Sequence, residues 1–218
     1  MIGVLVPAHN EQALIGACLR SILVAARAPQ LGGEPVRVVV ALDACRDGTA
    51  AICARYGVST VALEARCVGA ARAMAAQRLL DEGARWLAST DADSRVPPDW
   101  LAAQLACGAE AFCGTVRVAD WLDFAPQVRA TFLAGEHYVD GHPHVHGANL
   151  GVSAAAYRAV GGFPALPAHE DRGLLDALVR GGHAIARHAT PAVLTSARRD
   201  ARARCGFGDY LLGIEAAV

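Results

Sequence analysis

The feature that most limits what this chain can fold into is an alternation. Short apolar runs rich in β-branched residues, Ile2 to Val6, "VRVVVALD" ending at Asp43, "VSTVALE" and "RWLAST", are separated by alanine-rich segments with apolar residues at helical spacing. Apolar runs bounded by turn residues and alternating with helical segments define an α/β chain, a mostly parallel sheet covered by helices. Asn10 is placed to cap a helix over about Glu11 to Arg27, with Leu14, Cys18, Ile22 and Ala25 on one face. Gly57 and Gly83 stand where the next two helices must stop. Residues 1–95 therefore read as β-α-β-α-β-α-β, and polar residues gather just past the strand ends, the edge where open α/β sheets bind ligands.

The rest is less regular. It reads as a helix from Asp99 to about Cys107, a strand near Ala111 to Val118, an aromatic-bearing helix around Phe124 to Tyr138, and the loop "DGHPHVHGANLG". The helix "SAAAYRAVGG", the segment "HEDRGLLDALVRGG", a strand about "HAIARHATPAVLT" and the basic run "SARRDARAR" follow. The 218 residues fit one domain, with residues 1–95 as one half and 96–218 as the other.

Composition excludes several classes. The chain is 54% hydrophobic with mean hydropathy +0.29, but the apolar residues are dispersed, and no uncharged run approaches the ~20 residues of a spanning helix. The opening "MIGVLVPAHNE" has no basic stretch and its apolar run stops at Pro7, so it reads as a first strand, and a cytoplasmic location is expected. Twenty basic against 21 acidic residues leave no footprint of a nucleic-acid binder. Seven cysteines without a C-x-x-C pair argue against a disulfide framework or a zinc ribbon.

Chemistry concentrates in four places. In "STDADS", Asp91 and Asp93 are two apart, so on an extended backbone both carboxylates face one way and call for a cation between them. Such a pair can hold Mg²⁺ or Mn²⁺ with substrate oxygens completing the shell, although alone it reads first as a solvated acidic turn or helix cap. "VPAHNE" and "LDACRDGTA" read on their own as capping and turn chemistry. Glu170 and Asp171 open an amphipathic helix, which suits the helix dipole and also suits a general base. Arg198, Arg199, Arg202 and Arg204 crowd seven residues, and their planar forks suit phosphate oxygens or, in the bland reading, a solvated helix face. His142, His144 and His146 alternate in a loop and read as loop histidines or substrate contacts before a zinc site.

Taken in order, "VLVPAHNE", "ALDACRDGTA", "VGAARAMA", "ASTDADSRVPPDWL", "HGANLGVSAAAYRAVGGFP" and "HEDRGLLDALVRGG" resemble the family 2 glycosyltransferases over roughly residues 2 to 200. The resemblance implies a GT-A fold, with a nucleotide-binding half at 1–95 and a sugar- and acceptor-binding half at 96–218. It implies a nucleotide-diphospho-sugar donor, a UDP- or GDP-sugar, and a divalent metal, Mn²⁺ or Mg²⁺. Pro7, Ala8, His9 and Glu11 would pack around the base and ribose, Asp43 would hydrogen-bond the base, and Arg72 would approach the nucleotide or diphosphate. Asp91, Ala92 and Asp93 look like the D-x-D, with Asp93 on the metal and Asp91 on the ribose or a metal-bound water. Gly147 and Asn149 resemble the segment bordering the donor sugar, and Asp171, with Glu170 beside it, matches the catalytic base of inverting members.

Arg198 and Arg199 would meet the charge that builds on the leaving diphosphate. Where some relatives place another metal ligand this chain has "TSARR", leaving His188 as a candidate. The lack of the transmembrane helices of processive synthases implies transfer of a single sugar. Acceptor contacts are expected to be few, or supplied by a homo-oligomer or a partner protein. Two rival readings remain: a sugar-phosphate nucleotidyltransferase, against which stands the lack of a glycine-rich, lysine-bearing phosphate loop, and a non-catalytic nucleotide-sugar-binding scaffold, against which stand the clustered, mutually repelling carboxylates.

Overall fold

The structure is a computed structural model that describes residues 1–118, 120–121, 124–136, 138–199 and 206–217. One seven-stranded sheet runs through it: β1 (Ile2–Ala8), β2 (Val36–Asp43), β3 (Ser59–Leu63), β4 (Trp86–Ser89), β5 (Ala111–Val118), β6 (Leu150–Ser153) and β7 (Ile185–Thr195). In space the order is β3-β2-β1-β4-β6-β5-β7. β6 is antiparallel to both neighbours, and every other pairing is parallel. The carboxyl ends of six strands therefore share one edge, and β6 begins there, because Leu150 pairs with Ser89.

The helices are α1 (Ile15–Ala25), α2 (Thr49–Arg55), α3 (Val68–Asp81), α4 (Trp100–Ala106), α5 (Pro126–Gly135), α6 (Ala154–Ala159), α7 (Glu170–Arg180) and α8 (Phe207–Ala217). Alternation along β1 sorts the two faces. Ile2, Val4 and Val6 join Ile15, Leu19 and Ile22 of α1 and Trp100 of α4, while Leu5 joins Ala75 and Leu79 of α3 and Leu174 and Leu178 of α7. A smaller cluster of Phe124, Val128, Phe132, Ala197 and Leu211 ties α5 to α8 beside the last strand. Cys18, Cys53 and Cys113 are buried free thiols, and desolvation pushes Cys53 up to about 11 and Cys113 up to about 12. Among the described residues no helix is long and apolar enough to cross a membrane.

Three expectations change. The first helix starts at Ile15, and Asn10 does not cap it: Asn10 has a left-handed backbone, φ 54°, and its Oδ1 accepts from the Arg46 N–H at 2.8 Å. The amides that a cap would take are engaged elsewhere, Glu11 N–H on Thr49 Oγ1 and Gln12 N–H on Asp47 Oδ2, so the loop after β1 is laced to the loop after β2. Leu150–Ser153, read as loop and helix, forms β6; four residues carry too short a pattern to declare a strand. The C-terminal helix α8 was not anticipated, and of the basic run only Arg198 and Arg199 lie within the described residues, Arg202 and Arg204 falling outside them.

Candidate active site

The carboxyl edge of the sheet opens into a cavity of about 730 Å³. The strand-end motifs contribute to it: Pro7 and Ala8 at the end of β1 with His9 and Glu11 beyond it, Asp43 at the end of β2, Asp91, Ala92 and Asp93 after β4, and Arg198 after β7. Gly147 and Ala148 enter because β6 is antiparallel. A parallel strand would have delivered the residues before it to the opposite edge. Glu170, Asp171 and Arg172 enter from the first turn of α7.

Arg72, on α3 and only 3% exposed, organises the inner wall. Its Nε donates to Glu170 Oε1 at 2.8 Å, its Nη2 to Asp91 Oδ1 at 2.6 Å, and its Nη1 to Ser89 Oγ and to the Gly147 carbonyl at 3.2 Å. Ser89 Oγ donates to the same carbonyl at 2.8 Å. A Cβ on Gly147 would lie 2.4 Å from Arg72 Nη2, so only glycine lets this peptide come so close. The Gly147 N–H then donates to Asp171 Oδ2 at 2.7 Å. Gly147 thus joins the aspartate pair, through its carbonyl and Arg72, to the Asp171 carboxylate, through its N–H. Asp171 Oδ1 also accepts from the Arg172 N–H at 2.7 Å, which leaves acceptor sites on both oxygens.

A second arginine crosses the site. Arg198 grips Glu11 through both oxygens, at 2.6 and 2.5 Å, and its Nη2 lies 3.3 Å from Asp93 Oδ2. Around the aspartate pair four carboxylates, Glu11, Asp91, Asp93 and Glu170, meet two guanidinium groups. The excess shows in Asp93: burial and the neighbouring Asp91 charge push its carboxyl up to about 6, against the downward pull of Arg198. Two adjacent carboxylates carrying uncompensated negative charge, each keeping oxygen lone pairs outside its guanidinium contact, are a donor set that suits Mg²⁺ or Mn²⁺ completed by substrate oxygens. Among the described residues no group of three His, Cys, Asp or Glu is placed to hold a metal by itself.

Several expected residues lie outside the cavity or are engaged by the protein itself. Asn149 is fully buried and does not line the cavity; it accepts from Trp100 Nε1 at 2.9 Å and donates to the Thr115 and Pro191 carbonyls, so its side chain braces the sheet. His188 lies on β7 with its ring stacked on Phe112 and its Nδ1 3.5 Å from Asp140, outside the cavity. Arg199 turns to Glu215 of α8, at 2.7 Å, and over the Phe124 ring, also outside it. Glu170 is engaged by Arg72 and is 4% exposed, which makes it that arginine's counter-ion. Asp43 lines the cavity, but its carboxylate accepts from the N–H groups of Ala65, Arg66 and Cys67 at 2.7–2.8 Å and so shapes the β3–α3 loop. The His9 Nδ1–H donates to the Asp43 carbonyl at 2.6 Å. His142, His144 and His146 form a stack with ring centroids 5.7 and 5.8 Å apart, and burial pushes His146 down to about 4, keeping it neutral.

Ser89, Arg66 and Arg172 were not singled out from the sequence. Ser89 had no signal there beyond ending a strand. Arg172 lies within "HEDRGLLDALVRGG" and Arg66 in the short link before "VGAARAMA", and only the fold shows that both line the cavity.

An α/β sheet of this order with its site at the carboxyl edge is the GT-A arrangement, and similar solved structures share it. The structure of TarS from S. aureus in complex with UDP-GlcNAc superposes with a TM-score of 0.71 at 15% identity, covering 98% of this chain and 64% of that one. PcManGT, a mannosyltransferase from Pyrobaculum calidifontis in complex with GDP-Man and Mn²⁺, gives 0.68 at 21% identity, covering 92% of this chain and 58% of that one. The chain thus spans less than two thirds of either. No curated protein matches it significantly. The glycosyl transferase family 2 profile matches residues 3–122, and the chain belongs to that family.

Proposed function

We propose that this protein transfers a single sugar from a nucleotide-diphospho-sugar to an acceptor hydroxyl with inversion, residues 1–95 holding the nucleotide and 96–218 the sugar and acceptor. The observation that carries the reading is the joining of the aspartate pair and Asp171 in one cavity through the backbone of Gly147 and Arg72. The complexes of TarS with UDP-GlcNAc and of PcManGT with GDP-Man and Mn²⁺ support the donor class.

Asp91 and Asp93 would hold a divalent cation, which when bound neutralises charge developing on the leaving diphosphate. The chain's own residues do the rest. Pro7, Ala8 and His9 form the wall against the base and ribose, and Asp43 shapes the loop that brings Arg66 to the donor phosphates. Ala92 spaces the two aspartates, and Gly147, lacking a side chain, lets its backbone close on Arg72 where the cavity would border the sugar. Asp171, held by two N–H groups with lone pairs remaining, takes the proton from the attacking hydroxyl as the new bond forms. Transfer by in-line attack places the base and the leaving group on opposite faces of the sugar.

Asp171→Asn keeps the shape and removes the basicity. With a panel of UDP- and GDP-sugars, transfer should fall by about 10²–10⁴-fold while donor affinity, measured by calorimetry, stays unchanged. Turnover equal to wild type would remove Asp171 from the role. Donor binding without any turnover would make the chain a nucleotide-sugar-binding protein, and no donor binding at all would end the reading.

A further inference from the structure

Six carboxylates line the cavity, and each is held: Asp91 and Glu170 by Arg72, Glu11 and Asp93 by Arg198, Asp43 and Asp171 by backbone N–H groups. The two arginines that pair with acids are therefore occupied. Arg66 and Arg172 line the same cavity, and among the described residues their guanidinium groups make no ion pair or hydrogen bond. They are the cations with capacity left for a substrate's charge.

Their positions divide the work. Arg66 stands in the β3–α3 loop beside Asp43, whose carboxylate holds its backbone at φ 47° through the N–H groups of residues 65–67. Arg172 follows Asp171 in the first turn of α7. An in-line transfer sends the diphosphate away on the aspartate-pair side and brings the hydroxyl in on the Asp171 side. Under that reading Arg172, one residue from the base and lining the same cavity, lies on the acceptor side of the site. Guanidinium forks bind carboxylate and phosphate oxygens through two parallel hydrogen bonds, and an arginine with no internal partner loses nothing by turning to such a group.

We infer that the acceptor is an anionic alcohol, a molecule with a carboxylate or phosphate group near the hydroxyl that is glycosylated, and that Arg172 binds that oxyanion while Asp171 faces the hydroxyl. The inference rests on the proposed transferase reading, and it makes Arg172 the residue that selects the acceptor.

The test uses the whole protein and the Arg172→Ala, Arg172→Lys and Arg66→Ala variants. Inorganic phosphate is the probe, titrated by thermal shift with and without saturating UDP or GDP, whose own binding is followed by calorimetry. Phosphate should still bind when nucleotide is present. Arg172→Ala should weaken it by about tenfold or more with nucleotide affinity unchanged, and Arg172→Lys should keep part of it. Hydroxy acids tested beside their methyl esters, and sugar phosphates beside the free sugars, then separate a carboxylate source from a phosphate source. The anionic member should be the better acceptor by about the same factor in wild type and lose its advantage in Arg172→Ala. Phosphate binding equal in wild type and Arg172→Ala, absent in wild type, or lost only in Arg66→Ala overturns the assignment, as does equal use of neutral acceptors. If neither nucleotide binds, the transferase reading fails, and the phosphate titration without nucleotide still judges Arg172.

Discussion

Glu34 and Asp93 sit at opposite edges of one sheet and are perturbed in opposite directions. Glu34 precedes β2 at the amino edge, where the Arg85 guanidinium and the chain's amino group lie at 2.5 and 3.0 Å, and the Arg85 hydrogen bond above all pulls its carboxyl down to about 2. Asp93 follows β4 at the carboxyl edge, where burial and Asp91 push its carboxyl up to about 6. The amino edge satisfies its charges and adds stability. At the carboxyl edge the fold keeps like charges together at a cost, which is expected where a charged ligand is to be bound.

The largest effect should come from breaking the balance at the carboxyl edge. Arg72→Met keeps the volume but leaves the buried Glu170 and the partly exposed Asp91 without a counter-charge, and it should cost about 3–5 kcal/mol in urea unfolding. Adding Glu170→Gln removes one orphaned charge and should recover part of that loss. An unchanged midpoint in the double variant would mean that the two residues are not coupled.

Asp93→Asn should act in the other direction, stabilising the ligand-free protein. A carboxyl raised in the folded state adds stability below its unfolded value near 4 and loses it as pH rises through about 6. The gain from the amide should therefore be on the order of 2 kcal/mol at pH 8 and vanish toward pH 4, with Arg198 keeping its grip on Glu11. Thermal melts across that range check it, and a destabilised variant at pH 8 would remove the charge excess from the account of the site.

Glu34→Gln sharpens the contrast at the smallest scale. A depressed carboxyl contributes above its ordinary pKa and loses the contribution as pH falls toward about 2. The pair is partly solvated, with Arg85 56% exposed, so the loss should be only about 1 kcal/mol at pH 7, fading by pH 2–3. A pH-independent difference would show that packing, not charge, accounts for it.

The local features of the site were readable before the fold was known. Asp91, Asp93 and Asp171 announced themselves by residue type and by their place at the end of an apolar run or the start of an amphipathic helix. What could not be read was which oxygen meets which donor. Arg72, expected on the diphosphate, is the buried partner of two acids. Asn149, expected near the sugar, is saturated by Trp100 and two carbonyls. Each correction depends on partners at least 19 residues away in sequence, as with Arg72 and Asp91, and 98 away for Arg72 and Glu170.

Alternation of apolar runs and helical segments, a period of about 2 against 3.6, determined from sequence alone that this chain would be an α/β sheet with its chemistry past the strand ends. Tertiary structure alone decided that the four-residue β6 runs antiparallel. Strand direction is set by which neighbours a short segment pairs with, and no local pattern encodes that. This one reversal carries Gly147 to the edge where Asp91, Arg72 and Asp171 can meet.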